Sequence, residues 1–340
     1  MRKLLNTLYI TDENAYLSLE GETVVCRSEE RGELKIPFVN VESIVCFSYP
    51  GCSPALMGKC ADHGIPLTFF TPHGRFLARV SGKSQGNVYT RVLQSDCFRG
   101  DQLRLIQNTV ATKLSNTRFL VERSLRDHPQ LENREQIEAF SQSLRESAGE
   151  VYRECDPEVI RGIEGACAKK YFDIFDSLLL NKSQVFRICG RSKHPPLDAV
   201  NALLSFLYSM MTNDIASALE GVGLDSYIGF FHTLRPGRVS LACDLVEETR
   251  CICERLVITM INLRMLDEND FETEVTGAVY LNDAGRKKVL KAWQEKKRST
   301  LVHPYLKEKI PYGLLPFVQA NLLAKKVRGE IEEYPPYLMR

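Results

Sequence analysis

Over the first 80 or so residues, apolar and polar side chains alternate in short runs. YITDENAYLSLEGETVVCR has this period of two and turns at Glu-Gly, as half-buried strands do. LKIPFVNVESIVCF and GIPLTFFTPHGRFLARVSG continue it in β-branched and aromatic runs punctuated by Gly and Pro. Between them, SPALMGKCADHG predicts one short helix closing at His63-Gly64.

From about residue 100 the period becomes helical. DQLRLIQNTVATKLSNTRFLVERSLRD spaces Leu103, Ile106, Val110, Leu114 and Leu125 along one face, with Arg and Lys between them. Further helices are expected over 133–151, 156–181, 197–220, 243–264, 282–298 and 311–328. The polar stretch SGKSQGNVYTRVLQSD reads as a linker. The expected class is therefore α+β: a small β-rich N-terminal domain (1–80), a linker (81–100) and a larger all-α domain (101–340). There is no phosphate loop, no GxGxxG after a strand, no GxSxG elbow and no HExxH. Any chemistry must come from the helical half.

Composition narrows this further. With 340 residues, 44% hydrophobic and 26% charged, the chain has the balance of a soluble globular protein. No apolar run is long enough to span a bilayer, and MRKLLNTLYITDEN is broken by polar residues before a signal core can form. A cytoplasmic protein is expected. The 11 cysteines contain no CxxC pair, which argues against a zinc ribbon and fits small thiols in a reducing compartment. The net charge of +1 hides local clusters: Glu29-Glu30-Arg31-Gly32-Glu33 is acidic, whereas RKKVLKAWQEKKR (286–298) is strongly basic. That basic run fits a polyanion contact or, from charge alone, a solvated helix face.

Of the 6 histidines, His63, His73, His128, His194 and His303 lie at turns or beside prolines. His232 instead ends the apolar run SYIGFF, at the edge of a core. Asp244 and Glu247 follow at i and i+3 of an apolar-patterned segment, so they share a helix face. If that face meets His232, two oxygens and one nitrogen converge in a set suited to Mg²⁺ or Mn²⁺. The competing reading is a structural histidine and two acids complementing a helix N-terminus, with Arg250 or Arg255 as ion-pair partners. Glu248 and Glu254 fit that class. Glu164 is a further candidate ligand, with Gly162, Gly165, Ala166 and Ala168 around it and Arg161, Lys169 and Lys170 nearby. Asp173 and Asp176 read as outer-face residues.

Three motifs in order, IEGACAKKYF, DAVNALLSFLY and IGFFHTLRPGRVSLACDLVEETR, resemble those of the CRISPR-associated integrases of spacer acquisition, the Cas-one endonucleases. GIPLTFFTPHGRFLARV followed by NVYTRVLQ is similar to the β half of that family, so the resemblance covers nearly the whole chain. MRKLLNTLYI and DENAYLSLEGE look most like its type I-C branch. The resemblance places the metal ligands at Glu164, His232 and Glu247. Asp244 then supports the site or completes it.

What the resemblance implies is a metal-dependent DNA integrase using Mg²⁺ or Mn²⁺. A fragment's 3′-hydroxyl attacks a phosphodiester at the edge of a repeat; water in its place makes the same site an endonuclease. His232 is either a ligand or a proton relay. Arg161, Lys169, Lys170, Lys182, Arg187, Arg191, Lys193, Arg235 and Arg238 would hold backbone phosphates. Tyr171, Asn201 and Tyr208 would contact the strand end or pack the site. The implied partners are double-stranded DNA, a second copy through the β domain, and a small CRISPR-associated protein. A metal-dependent nuclease of branched repair intermediates shares every site residue. A non-catalytic DNA-binding dimer would survive loss of the acids, and a metallohydrolase of small molecules would need a closed pocket.

Overall fold

The computed structural model describes residues 6–29, 32–82, 88–100 and 102–339. Glu30 and Arg31 of the acidic cluster, residues 83–87 of the expected linker and the opening MRKLL lie outside them. The β-rich region holds β1 (Thr7–Ile10), β2 (Tyr16–Glu20), β3 (Thr23–Ser28), β4 (Gly32–Pro37), β5 (Ser43–Cys46), the expected helix α1 (Pro54–Asp62), β6 (Leu67–Phe70) and β7 (Phe76–Val80). Two sheets result. The meander β2-β3-β4 is antiparallel, whereas the order β1-β5-β6-β7 pairs its first three strands in parallel and closes with an antiparallel hairpin. Parallel neighbours need a crossover, and α1 supplies the one between β5 and β6. A small core of Leu17, Val24, Ile44, Leu56 and Leu67 sits among these elements.

The helical part contains α2 (Val88–Arg99), α3 (Leu103–Asp127), α4 (Arg134–Val151), α5 (Pro157–Phe175), α6 (Ala199–Gly221) and α7 (Ser240–Asn262). Two short ribbons follow, β8 (Phe271–Thr273) with β9 (Val279–Leu281) and β10 (Thr300–Val302) with β11 (Lys309–Pro311), together with α8 (Asp283–Arg298) and α9 (Leu315–Val327). This half is thus helical but not all-α. Two further departures have plain causes. Helix α2 occupies much of the stretch read as linker: its Gln94 side chain is fully buried and bonds the backbone at Asp225 and Ile228, so tertiary contacts hold a segment of weak periodicity. Helix α5 ends at Phe175, because Asp176 turns to accept from the backbone of Ile188 and the guanidinium of Arg187. Among the described residues, no helix is long and apolar enough to cross a membrane.

The large core of the helical part extends into the first sheet through Val45, Phe47 and Phe70. Phe47 stacks on Phe206 of α6 at 5.9 Å between ring centroids. Gly74, in the β6–β7 turn at φ +82°, lies so close to the Phe206 ring that a Cβ would come within 2.5 Å of it. The basic run of α8 contributes here as well. Arg286 is fully buried, donates to the carbonyls of Pro72 and Thr11 and lies over the Phe47 ring. Lys297 is buried against Asp214, and Lys288 pairs with Asp270. The run is neither a free polyanion patch nor a simple solvated face: Arg286 ties α8 to the β region, while Lys297 and Lys288 pair with acids of the helical part.

Candidate metal centre and nucleic-acid interface

Three helices and one loop frame the centre. Helix α5 opens on Asp156, which accepts from the Glu158 N–H, with Pro157 in the first turn. Glu164 projects from its middle turn. Gly162 and Gly165 face open space, which leaves the outer side of this helix thin and approachable. Helix α7 begins at Ser240, three residues before the expected start; Asp244 and Glu247 sit within it, as expected, and both are buried.

The GFFH loop (229–232) arrives at the first turns of α7. Gly229 makes this possible: a Cβ there would fall 2.7 Å from the Ser240 carbonyl carbon and 3.0 Å from Asp244 Oδ2. Asp244 then gathers the loop. Its Oδ2 accepts from the main-chain N–H of Phe230 at 2.6 Å and Phe231 at 3.0 Å, and its Oδ1 from that of His232 at 2.8 Å. The same Oδ1 lies 2.7 Å from His232 Nδ1. A carboxylate there assigns the proton to Nδ1 and leaves Nε2 with a lone pair, the usual arrangement behind a metal-binding imidazole. Arg161 secures the loop from α5 by donating to the Phe231 carbonyl, and Arg238 ties the Arg-Pro-Gly-Arg turn to Thr233.

Glu164, His232 and Glu247 line one cleft of about 510 Å³. Lys113 of α3 enters it from the side, and its ammonium pairs with both Glu164 and Glu247. Arg250 adds a second cation to Glu247 at 3.0 Å and reaches the buried Glu254 at 2.9 Å. Burial alone would raise the Glu247 carboxyl, but Lys113 and Arg250 outweigh it and hold the group well below the usual carboxylate range. As placed, no three His, Cys, Asp or Glu side chains among the described residues come together as a cage for a metal ion. Yet two carboxylates already share one cation, an imidazole of fixed orientation lines the same cleft, and the donors are the oxygen and nitrogen that Mg²⁺ or Mn²⁺ prefers. In kind, the residues suit a divalent cation, and the space between the two acids is taken by the Lys113 ammonium.

Several sequence expectations are corrected here. Asn201 is fully buried: its amide nitrogen donates to Gly190 and Asp198, while its oxygen accepts from Arg191 and the Ser192 N–H. It shapes the loop before α6 and is not exposed to a strand. Glu254 has the expected partner Arg250, but it and Glu248 are both fully buried and bound by further donors. Glu254 accepts from Tyr171, Tyr208 and Arg250, and Glu248 from Gln319, Tyr334 and the Tyr337 N–H. Tyr171 and Tyr208 thus face Glu254 inside the protein. Of the basic residues, Lys169, Lys193, Arg191 and Arg250 line the cleft; Lys169, Lys170 and Arg235 are exposed, and Arg187 pairs with Asp176. Lys113 escaped the sequence reading. Its one visible signal is a lysine in the otherwise apolar and small-polar run TVATKLSN.

A family model described as CRISPR associated protein Cas1 matches residues 8–295. The chain belongs to the Cas1 family. It is 43% identical to a CRISPR-associated endonuclease Cas1 of Chlorobaculum tepidum and 40% identical to one of Moorella thermoacetica, each over the full length of both chains. Among solved structures, a Cas1 protein from Thermotoga maritima superposes with a TM-score of 0.80 at 21% identity, covering 96% of this chain and 97% of that one. A casposase bound to its integration product gives 0.85 at 17%, covering 98% and 94%. At those identities the superpositions establish the Cas1 fold, a β-rich region followed by a helical one.

Proposed function

We propose that this Cas1 chain is a DNA endonuclease and integrase of spacer acquisition. It joins short DNA fragments into a CRISPR repeat array by attack of a fragment's 3′-hydroxyl on a phosphodiester. Full-length identity of 40–43% to Cas1 endonucleases supports the activity. The observation that carries it to particular residues is the convergence of Glu164, His232 and Glu247 on one cleft with basic walls.

Enzymes of this family are metal-dependent nucleases. In this reading Glu164, His232 and Glu247 hold the cation, and Mg²⁺ and Mn²⁺ both suit them. Once bound, it supplies charge neutralisation at the attacked phosphate and lowers the pKa of the attacking hydroxyl. The chain's own residues do the rest. Asp244 fixes the imidazole so that Nε2 faces the cleft. Arg161 and Arg238 keep the His232 loop in place. Lys169, Lys193, Arg191 and Arg235 hold backbone phosphates and align the strand.

A solved Cas6-RT-Cas1–Cas2 complex contains a chain of this fold, and a small protein of that second kind is the partner we assign. Pairing of two copies through the β region is supported by the exposed apolar side chains of Leu34, Val39, Phe76 and Leu77. The 11 unpaired cysteines fit a cytoplasmic protein.

The test uses a labelled duplex and a repeat-containing plasmid in Mg²⁺ or Mn²⁺, with and without the partner. Joined product is expected from the wild type and not from folded Glu164→Ala or His232→Ala. Joined product at wild-type yield from either variant overturns the assignment of the centre. Hydrolysis of branched DNA without joining would favour a repair nuclease instead.

A further inference from the structure

Among the described residues, the buried cation between the two candidate ligand carboxylates belongs to a helix that neither carboxylate shares. Lys113 lies on the inner face of α3, 7% exposed, and its ammonium pairs with Glu164 of α5 and with Glu247 of α7 at once. It therefore occupies the space that a cation held by both acids must use. Two features distinguish it from an ordinary structural ion pair. First, Glu247 already has Arg250 as a partner, and Arg250 is fixed from the other side by Glu254 and by the Tyr208 ring 4.8 Å away. Arg250 can stay where it is. Second, Lys113 stands at the wall of an open cleft on a four-carbon stem whose ammonium has, among the described residues, these two acids as its partners, so it can swing without disturbing α3.

An ammonium and a divalent cation cannot share one gap between two carboxylates, since at such separations like charges repel strongly in a partly buried site. Resting on the assignment of Glu164 and Glu247 to the metal, we propose that Lys113 is a built-in counter-cation of the centre. It holds the two acids together before metal loads and yields its place on loading. Its ammonium then faces the cleft, where a DNA phosphate replaces the carboxylates as its partner. Without Lys113, Glu164 would have no cation beside it among the described residues and would repel Glu247, which Arg250 alone would then offset, and α5 would be pushed from α7. The exchange keeps the site assembled in both states and makes Lys113 a competitor of the metal and a positioning residue for the phosphate.

The test is calorimetric titration of the protein with Mn²⁺ alone, without DNA. Lys113→Met removes the charge while keeping most of the stem. It is expected to bind Mn²⁺ about tenfold tighter or more than the wild type, to melt at lower temperature without metal, and to gain more from Mn²⁺. Lys113→Arg keeps the charge and is expected to gain no affinity. A folded Lys113→Met that binds Mn²⁺ no tighter than the wild type overturns the proposal, because a purely structural lysine leaves metal affinity unchanged or weakens it. Should Lys113→Met not fold, acetylation of wild-type lysines read by mass spectrometry decides. Labelling of Lys113 is expected to rise severalfold on adding Mn²⁺, and unchanged labelling overturns the proposal. Glu164→Gln and Glu247→Gln separate the two levels. If neither weakens Mn²⁺ binding, the metal assignment itself falls; if both do while Lys113→Met changes nothing, the counter-cation alone falls.

Discussion

Asp244 and His232 are joined twice. One carboxylate oxygen accepts the main-chain N–H of His232 at 2.8 Å and faces its ring Nδ1 at 2.7 Å. The other oxygen takes the N–H groups of Phe230 and Phe231. One buried acid therefore sets the loop backbone and the imidazole orientation together, and its own lone pairs are used up in doing so. Asp244 is thus committed to the histidine and its loop, while Glu247 lines the cleft.

Replacing Asp244 separates these two duties. Asp244→Ala leaves three buried N–H groups without acceptors and should cost about 3 kcal/mol or more of stability in urea unfolding. Asp244→Asn keeps the shape but loses the anion that fixes the imidazole, and joining should fall by about 10- to 100-fold with a smaller loss of stability. Wild-type joining by Asp244→Asn would mean that the histidine is oriented by something else.

Gly229 is constrained by closeness, not by backbone angle. Its position allows no Cβ, because the carbonyl carbon of Ser240 and Asp244 Oδ2 are already there. Gly229→Ala should push the GFFH loop off the start of α7, lower the melting temperature and reduce Mn²⁺ affinity by moving His232. Gly237→Ala is the control: it lies in the same loop at φ +76° with open space around it, so it should strain the turn without displacing His232. Equal Mn²⁺ affinities for the two variants would argue against the steric account.

Much of the helical frame was legible because apolar side chains recur at helical spacing on α3, α6 and α7, and that spacing follows from burying one face. Glu164, His232 and Glu247 were legible through three ordered motifs. Lys113 was not, because its two partners lie 51 and 134 positions away and nothing local distinguishes a lysine aimed at buried acids from one snorkelling to water. The same limit hid α2, which is held by Gln94 reaching the loop before the GFFH segment. It also disguised Arg286 and Lys297, whose burial depends on carbonyls and acids of distant segments. Asn201 failed in the opposite direction: a polar residue beside a presumed strand path was needed inside to hold its own loop.

Arg250 bridges two acids of its own helix, Glu247 and Glu254, and lies against the Tyr208 ring. Glu254 is almost fully buried, so Arg250→Met leaves an uncompensated charge there and should destabilise the protein by about 3–5 kcal/mol. Adding Glu254→Gln to Arg250→Met should restore part of that loss. A double-mutant cycle by chemical denaturation measures the coupling, and strictly additive effects would show that the pair is unimportant.

Glu248 points away from the centre, toward Gln319, Tyr334 and Tyr337 near the C-terminal end of the chain. Burial raises its carboxyl from the ordinary 4.5 to about 7, with the hydrogen bonds from Tyr337, Tyr334 and Gln319 opposing the rise. The folded protein thus holds this proton over a range in which the unfolded chain has released it. The resulting stability is fully present below pH 4.5 and is lost as pH rises toward 7. Glu247 acts in the opposite sense and only at lower pH, since its carboxyl is depressed and its contribution disappears on acidification below the usual carboxylate range. His303, whose imidazole burial pushes down, and Lys296, pushed down to about 8 by burial, also titrate between pH 5 and pH 8, so Glu248 is isolated by the difference between variant and wild type. The Glu248→Gln side chain cannot titrate, so its stability relative to the wild type should improve by about 2 kcal/mol from pH 5 to pH 8. Urea unfolding of both proteins across that interval gives the number directly. A constant difference would mean that Glu248 stays ionised in the fold and that its three donors outweigh its burial.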